Sequence, residues 1–188
     1  LGVPKPDPDK FLDVEPSEEQ KQLAQSIYYN ESSSLARLIR LIQASTNPEL
    51  LNKKIEYKDM WFAGDNDQDD TFEVSEEIFN NRLQNTSDSV IKEAKGYDEF
   101  DFSSMISPKF EKGIEKIQEP ISEGKKVIVW AIFVDTMKKI QSRLDQVGVK
   151  ANLVYGGTDV SDRQNLIDDF RFGNTMVMIC LLYTSLMA

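Results

Sequence analysis

The sequence predicts an α/β fold: a parallel sheet of three strands with crossover helices, preceded by a mainly helical region. Three observations carry this. Between Lys125 and Ile179 the residues read as strand, helix, strand, helix, strand. The first of these strands, Val127-Ile128-Val129-Trp130-Ala131-Ile132-Phe133, is an almost unbroken apolar run, which suits a strand covered on both faces. Residues 1 to 106, by contrast, read mainly as short capped helices.

Taken in order, Pro4, Pro6 and Pro8 make an extended entry, and Phe11-Leu12-Asp13-Val14 reads as a short strand. Ser17 and Gln20 have capping-box spacing and open a helix through about Tyr29. A second helix spans Leu35 to Gln43 and stops before Asn47-Pro48. Ser75 to Leu83 and Ser87 to Lys95 read as short helices begun by serine caps. Ser107 caps another, with Pro108 at the first helical position, running to about Ser122.

After the apolar strand, with Trp130 expected in the core, Asp135 is the expected N-cap of a helix whose stripe is Met137, Ile140 and Leu144. Gly148 ends it, Lys150 to Tyr155 rises as a second strand, and Gly156-Gly157 turns the chain. Ser161 and Gln164 have capping-box spacing, Leu166, Ile167 and Phe170 make the buried face of the next helix, and Gly173-Asn174 stops it. Met176 to Ile179 is the third strand. Two strand-helix-strand crossovers in so short a stretch imply right-handed connections in a parallel sheet. No internal repeat is evident.

Composition bounds the function. At 188 residues the chain suffices for one domain with a sizeable core, or for a small domain plus an appendage. Its 40% apolar and 29% charged residues are those of a water-soluble protein. No apolar run approaches the ~18 residues of a membrane helix and no signal pattern opens the chain, so a cytoplasmic or nuclear location is expected. The single cysteine, Cys180, excludes an internal disulfide, and the absence of histidine argues against zinc. The net charge of -10 at first argues against nucleic acid. Most of that excess, however, is local: Lys53 to Asp101 holds 14 acidic and 6 basic residues. At its centre Asp65-Asn66-Asp67-Gln68-Asp69-Asp70 reads as a solvated loop. The Asp65, Asp67, Asp69 spacing starts a calcium loop, and Glu76 stands at its twelfth position, but Asp70 occupies the place of its glycine. Trp61 and Phe62 flank this acidic insert and are expected to anchor it.

Four segments, in order, carry a family resemblance. Leu35 to Leu51 resembles the Leu-Arg-rich helix with its Asn/His-Pro-x-Leu-Leu ending that lies between the two lobes of Swi/Snf-related superfamily II ATPases. Ser107-Pro108-Lys109-Phe110 is similar to the entry of the helix that precedes the second RecA-like lobe, and Lys126 to Thr136 resembles the strand and turn that open it. Tyr155-Gly156-Gly157-Thr158, then Arg163, then Ile167 and Phe170, resembles the family's glycine-plus-hydroxyl turn, helix arginine and Ile-x-x-Phe. The resemblance implies a partial RecA-like sheet, with 1-106 an inter-lobe region bearing an acidic insert and 107-188 the start of the second lobe.

It further implies a parent that uses ATP and Mg, grips double-stranded DNA and closes against the first lobe of the same chain. No segment here fits the G-x-x-x-x-G-K-[ST] phosphate loop, so no catalytic, cofactor-binding or metal residue is assigned and the chain alone is expected to be inactive. The start at Leu1 without Met, and a last nine residues, Cys180 to Ala188, without the glycines the family carries there, agree with a fragment.

The candidate nucleic-acid contacts are Gly157, Thr158, Arg163 and Lys138. Each has an ordinary alternative: Thr158 as a turn residue, Arg163 paired with Asp159 or Asp162, and Lys138 with Lys139 on a helix surface. Arg37 and Arg40 either meet phosphates or edge their helix's apolar face. Two functions follow: part of a DNA-dependent ATPase or translocase, or a non-catalytic interaction module whose acidic helical appendage docks a basic partner.

Overall fold

The computed structural model describes residues 8–31, 33–56, 76–84 and 96–182. The expectations for Pro4 and Pro6, the acidic loop with Trp61 and Phe62, the helix Ser87 to Lys95 and the last six residues lie outside that set.

Helix α1 (Glu18–Asn30) opens with the expected capping box: Ser17 Oγ accepts from the Gln20 amide at 3.1 Å and the Gln20 side chain accepts from the Ser17 amide. Helix α2 (Ser34–Thr46) is capped by Ser33 and followed by a 3-10 turn, Pro48–Asn52. Helix α3 (Glu76–Gln84) matches the serine-begun helix of the sequence. A short 3-10 turn, Tyr97–Glu99, leads towards helix α4 (Pro108–Ser122), where Ser107 Oγ accepts from the Phe110 amide and donates to the Ser45 carbonyl. The expected strand at Phe11 to Val14 is absent. Phe11 is 95% exposed, so nothing packs on it to reward an extended pairing.

The α/β part runs β1 (Val127–Ala131), α5 (Val134–Asp145), β2 (Ala151–Val154), α6 (Val160–Phe172), β3 (Val177–Leu181). All pairing is parallel, in the order β1-β3-β2, with Val127 and Ala151 both opposite Val177. Among the described residues β3 is therefore central, and β1 and β2 form the sheet's edges.

The alternation of side chains splits the sheet into two faces. Val127, Val129, Ala131, Ala151, Leu153, Val177, Ile179 and Leu181 join Ile114 and Ile117 of α4 and Met137, Ile140 and Leu144 of α5 in one core. On the other face α6 lies over β2 and β3, where Asn152 Nδ2 donates to the Leu166 carbonyl at 3.1 Å. Helices on opposite faces are what two right-handed crossovers of opposite direction require.

This corrects two expectations. Strand β1 is covered on one face only: Ile128 is 47% and Trp130 46% exposed, because α6 does not extend over this edge. Trp130 is thus not a core residue. Nor do the expected caps form. Helix α5 begins at Val134 with Phe133 as N-cap, leaving Asp135 inside the first turn, and α6 begins at Val160 with Asp159 as N-cap, leaving Ser161 inside it. Helix α5 stops at Asp145 with Gln146 as C-cap, and Gly148 closes the turn that follows, in the left-handed region at φ 74° that its lack of a Cβ permits.

Two further clusters organise the helical part. Leu23 and Ile27 of α1 pack with Ala44, Leu51, Phe102 and Met105. Ile39 and Leu50 pack with Phe133 and Ile132, which joins the helices directly to the carboxyl end of β1.

Candidate nucleic-acid interface

Parallel pairing places the carboxyl ends of β1 and β2 on the same edge of the sheet, the edge where ligands meet open α/β folds. Three of the four predicted contacts sit together beyond β2. The Tyr155 to Thr158 segment closes on itself: the Thr158 amide donates to the Tyr155 carbonyl at 2.9 Å, and Thr158 Oγ1 accepts from the Tyr155 amide at 3.1 Å. The hydroxyl is held as an acceptor by the turn, so its own proton remains to be donated outward.

Gly157 needs no left-handed backbone, since the positive φ values among the described residues belong to Gly124 and Gly148. Its requirement is space. A Cβ at Gly157 would lie 2.7 Å from Cε2 of Tyr155, whose ring packs against the sheet core.

Arg163 stands in the first turn of α6, its amide donating to the Asp159 carbonyl at 2.9 Å. Its Nε is buried with no hydrogen-bond partner among the described residues. The expected alternative, an ion pair with Asp159 or Asp162, does not occur among those residues. The turn thus presents a hydroxyl, glycine backbone and a guanidinium at one helix N-terminus, where the helix dipole also favours an anion.

Lys138 lies elsewhere. It is on α5, across the sheet from α6, and borders an open cavity of about 520 Å³ with Lys139, Arg143, Glu49, Glu111 and Phe110. Its ammonium is 3.8 Å from Asp135 Oδ1. Lys139 is committed to structure, donating to Asn47 Oδ1 at 2.9 Å and lying above the Phe110 ring.

Arg40 and Arg37 are also structural. Arg40 is 11% exposed and donates to Gln43 Oε1 and to the Leu50 and Lys53 carbonyls at 3.0, 3.2 and 2.8 Å, with Glu31 3.7 Å from its Nε. Burial pulls its pKa down, partly offset by Glu31. Tyr97 donates to Glu31 Oε1 at 2.7 Å, and burial with that bond pushes its phenol well up. Arg37 donates to the Glu31 carbonyl and stacks on Tyr28.

Two groups that the sequence did not single out brace the site. Lys53 Nζ donates to Asp135 at the head of α5. Asp169 of α6 accepts from Thr175, from Lys150 at 2.9 Å and from Asn152 at 3.2 Å, which holds its carboxyl down at about 2. Both residues are Asp or Lys at unremarkable spacing, so only the tertiary fold brings the partners within reach.

No family model matches the sequence, and no curated protein does. Solved structures do. The chain is similar to a Sulfolobus solfataricus SWI2/SNF2 ATPase core domain, with a TM-score of 0.54 at 16% identity over 89% of this chain and 28% of that one. It is also similar to a Sulfolobus solfataricus SWI2/SNF2 ATPase core in complex with dsDNA, with a TM-score of 0.50 at 16% identity over 87% and 27%. A Sulfolobus solfataricus SWI2/SNF2 ATPase C-terminal domain aligns at a TM-score of 0.49 and 16% identity, over 87% of this chain and 56% of that one. The fold is thus the mixed α/β architecture shared with SWI2/SNF2 ATPase cores. The chain spans between about a quarter and just over half of the length of these structures.

No helix among the described residues is long and apolar enough to cross a membrane.

Proposed function

We propose that the chain is part of a Swi/Snf-related superfamily II DNA-dependent ATPase or translocase, with residues 1-106 lying between the lobes and 107-188 forming the start of the second RecA-like lobe. The observation that carries this is the turn Tyr155-Gly156-Gly157-Thr158 with Arg163, standing at the carboxyl edge of a sheet whose architecture is shared with SWI2/SNF2 cores. Backbone amides of the turn, the Thr158 hydroxyl and the Arg163 guanidinium take successive phosphate oxygens of one strand of a DNA duplex, and Lys138 takes a phosphate on the opposite side of the sheet. Such contacts fix position along the duplex and carry no base preference.

In the parent, ATP and Mg would drive closure of this lobe on the first. The residues present do not fit that nucleotide, because no phosphate loop occurs in the sequence, and no hydrolytic step is assigned to this chain. The test is anisotropy of a labelled duplex across a salt series, together with an ATPase assay. Weak, salt-sensitive binding is expected, reduced by Thr158→Ala and by Arg163→Ala, with no turnover of ATP. Absence of binding at low salt, or DNA-stimulated hydrolysis by the 188-residue chain, would overturn the reading.

A further inference from the structure

Asp135 stands between two lysines of different origin. Lys138 is one helical turn further along α5, its Nζ 3.8 Å from Oδ1, whereas Lys53 arrives from the end of the 3-10 turn after α2 and donates to Oδ2. Lys53 does not reach there by chance of a loose tail. Arg40 donates to its carbonyl at 2.8 Å and to that of Leu50 at 3.2 Å, and Arg40 is itself buried, so the backbone from which Lys53 extends is fixed by the helical part of the fold. Lys53, Lys54, Phe133, Val134 and Asp135 border one small recess at the head of α5.

One carboxylate supplies one negative charge. Lys53 makes the shorter contact with it and Lys138 the longer one, so the three groups together keep one net positive charge, and the Lys138 ammonium is 57% exposed. If Lys53 is removed, Asp135 and Lys138 are left as a pair with no net charge, so Lys138 no longer offers a net cation to an approaching phosphate.

We infer that Lys53 is a positioning residue for the anion contact of Lys138: it neutralises Asp135, and through Arg40 it makes that contact depend on the docking of the helical region against the head of α5. The inference rests on the duplex-binding reading above and identifies how that site is set.

The experiment measures binding of a duplex of about 20 base pairs by the full chain and its Lys53→Met, Asp135→Asn, Lys53→Met/Asp135→Asn and Lys138→Met variants over a salt series. Losing one effective cation should weaken binding roughly three- to tenfold at low salt and reduce the salt slope by about 0.9. Lys53→Met should show that loss, Asp135→Asn should bind at least as tightly as the parent chain, and the double variant should recover. In a Lys138→Met/Asp135→Asn background, where there is no carboxylate to neutralise and no Lys138 to release, Lys53→Met should change binding little. Because the Lys53–Asp135 pair is exposed, these variants should keep the parent melting behaviour, which near-UV circular dichroism checks. The inference is overturned if Lys53→Met binds as the parent does, or if the double variant stays as weak as Lys53→Met, which would make Lys53 itself the phosphate contact. A parent chain that binds no duplex sinks the underlying reading instead.

Discussion

A guanidinium taken out of water must find acceptors for its donors, and leaving one behind is more costly than never having buried it. Arg40 meets this for its terminal nitrogens with Gln43 and the Leu50 and Lys53 carbonyls, which tie α2 to the turn that follows it, while its Nε has no hydrogen-bond partner among the described residues and lies 3.7 Å from Glu31. Arg40→Leu therefore removes the donors to the Leu50 and Lys53 carbonyls and leaves Glu31 with Tyr97 as its donor, and should lower stability by roughly 1–3 kcal/mol in urea unfolding. Arg40→Lys should recover little, since one ammonium cannot reproduce the fork. Asp169 works in the opposite sense. Its carboxyl titrates at about 2 in the fold, held down first by Thr175 and then by Lys150 and Asn152, against roughly 4 in the unfolded chain. Its contribution is complete above about pH 4 and is lost as pH falls through about 2. The urea midpoints of the parent and Asp169→Asn should therefore differ at pH 6 and converge towards pH 2.

The elements show which rules of local sequence held. Ser17 with Gln20 and Ser107 with Pro108 cap helices as their spacing predicts, because each serine precedes a helix that no strand constrains. Asp135 and Ser161 fail as caps for a common reason: both follow strands through short turns whose geometry is set elsewhere. Phe133, 3% exposed in the cluster with Ile39 and Leu50, fixes where α5 starts, and the Thr158–Tyr155 closure fixes where α6 starts. The candidate site was legible as far as its glycine turn and Arg163. Its separation from Lys138 was not, since which helix lies on which face depends on strand order. Ser107 also donates to the Ser45 carbonyl, so Ser107→Ala should cost about 1 kcal/mol for the cap alone and more for the lost tie to α2. Ser107→Thr should restore most of it, as read by thermal unfolding.

At the scale of the whole molecule, an apolar run indicates a strand without saying how many of its faces are covered. The strand at Val127–Ala131 was correctly located from its run of Val, Ile and Trp, yet its place at the sheet edge leaves Ile128 and Trp130 half open while Val129 and Ala131 face α4 and α5. Stability should follow this asymmetry. Trp130→Ser, at a half-exposed position, should cost about 1–2 kcal/mol, whereas Met137→Ala, at a fully buried position on the covered face, should cost roughly 2–5 kcal/mol. Equal losses at the two positions would mean that both faces are packed.

The strand order β1-β3-β2 also sets a timetable for folding. Among the described residues, strands β1 and β2 do not pair with each other, and each finds its hydrogen-bonding neighbour in Val177–Leu181, the segment synthesised after both. Helices α4 and α5 can gather on β1 early, through contacts close in sequence. Among the described strands, the sheet can close only once Val177–Leu181 slides between two strands that precede it in sequence. On a ribosome emitting ~5–20 residues per second, β1 and β2 therefore precede the strand that joins them, and edges without a partner are what chaperones and other copies of a chain capture.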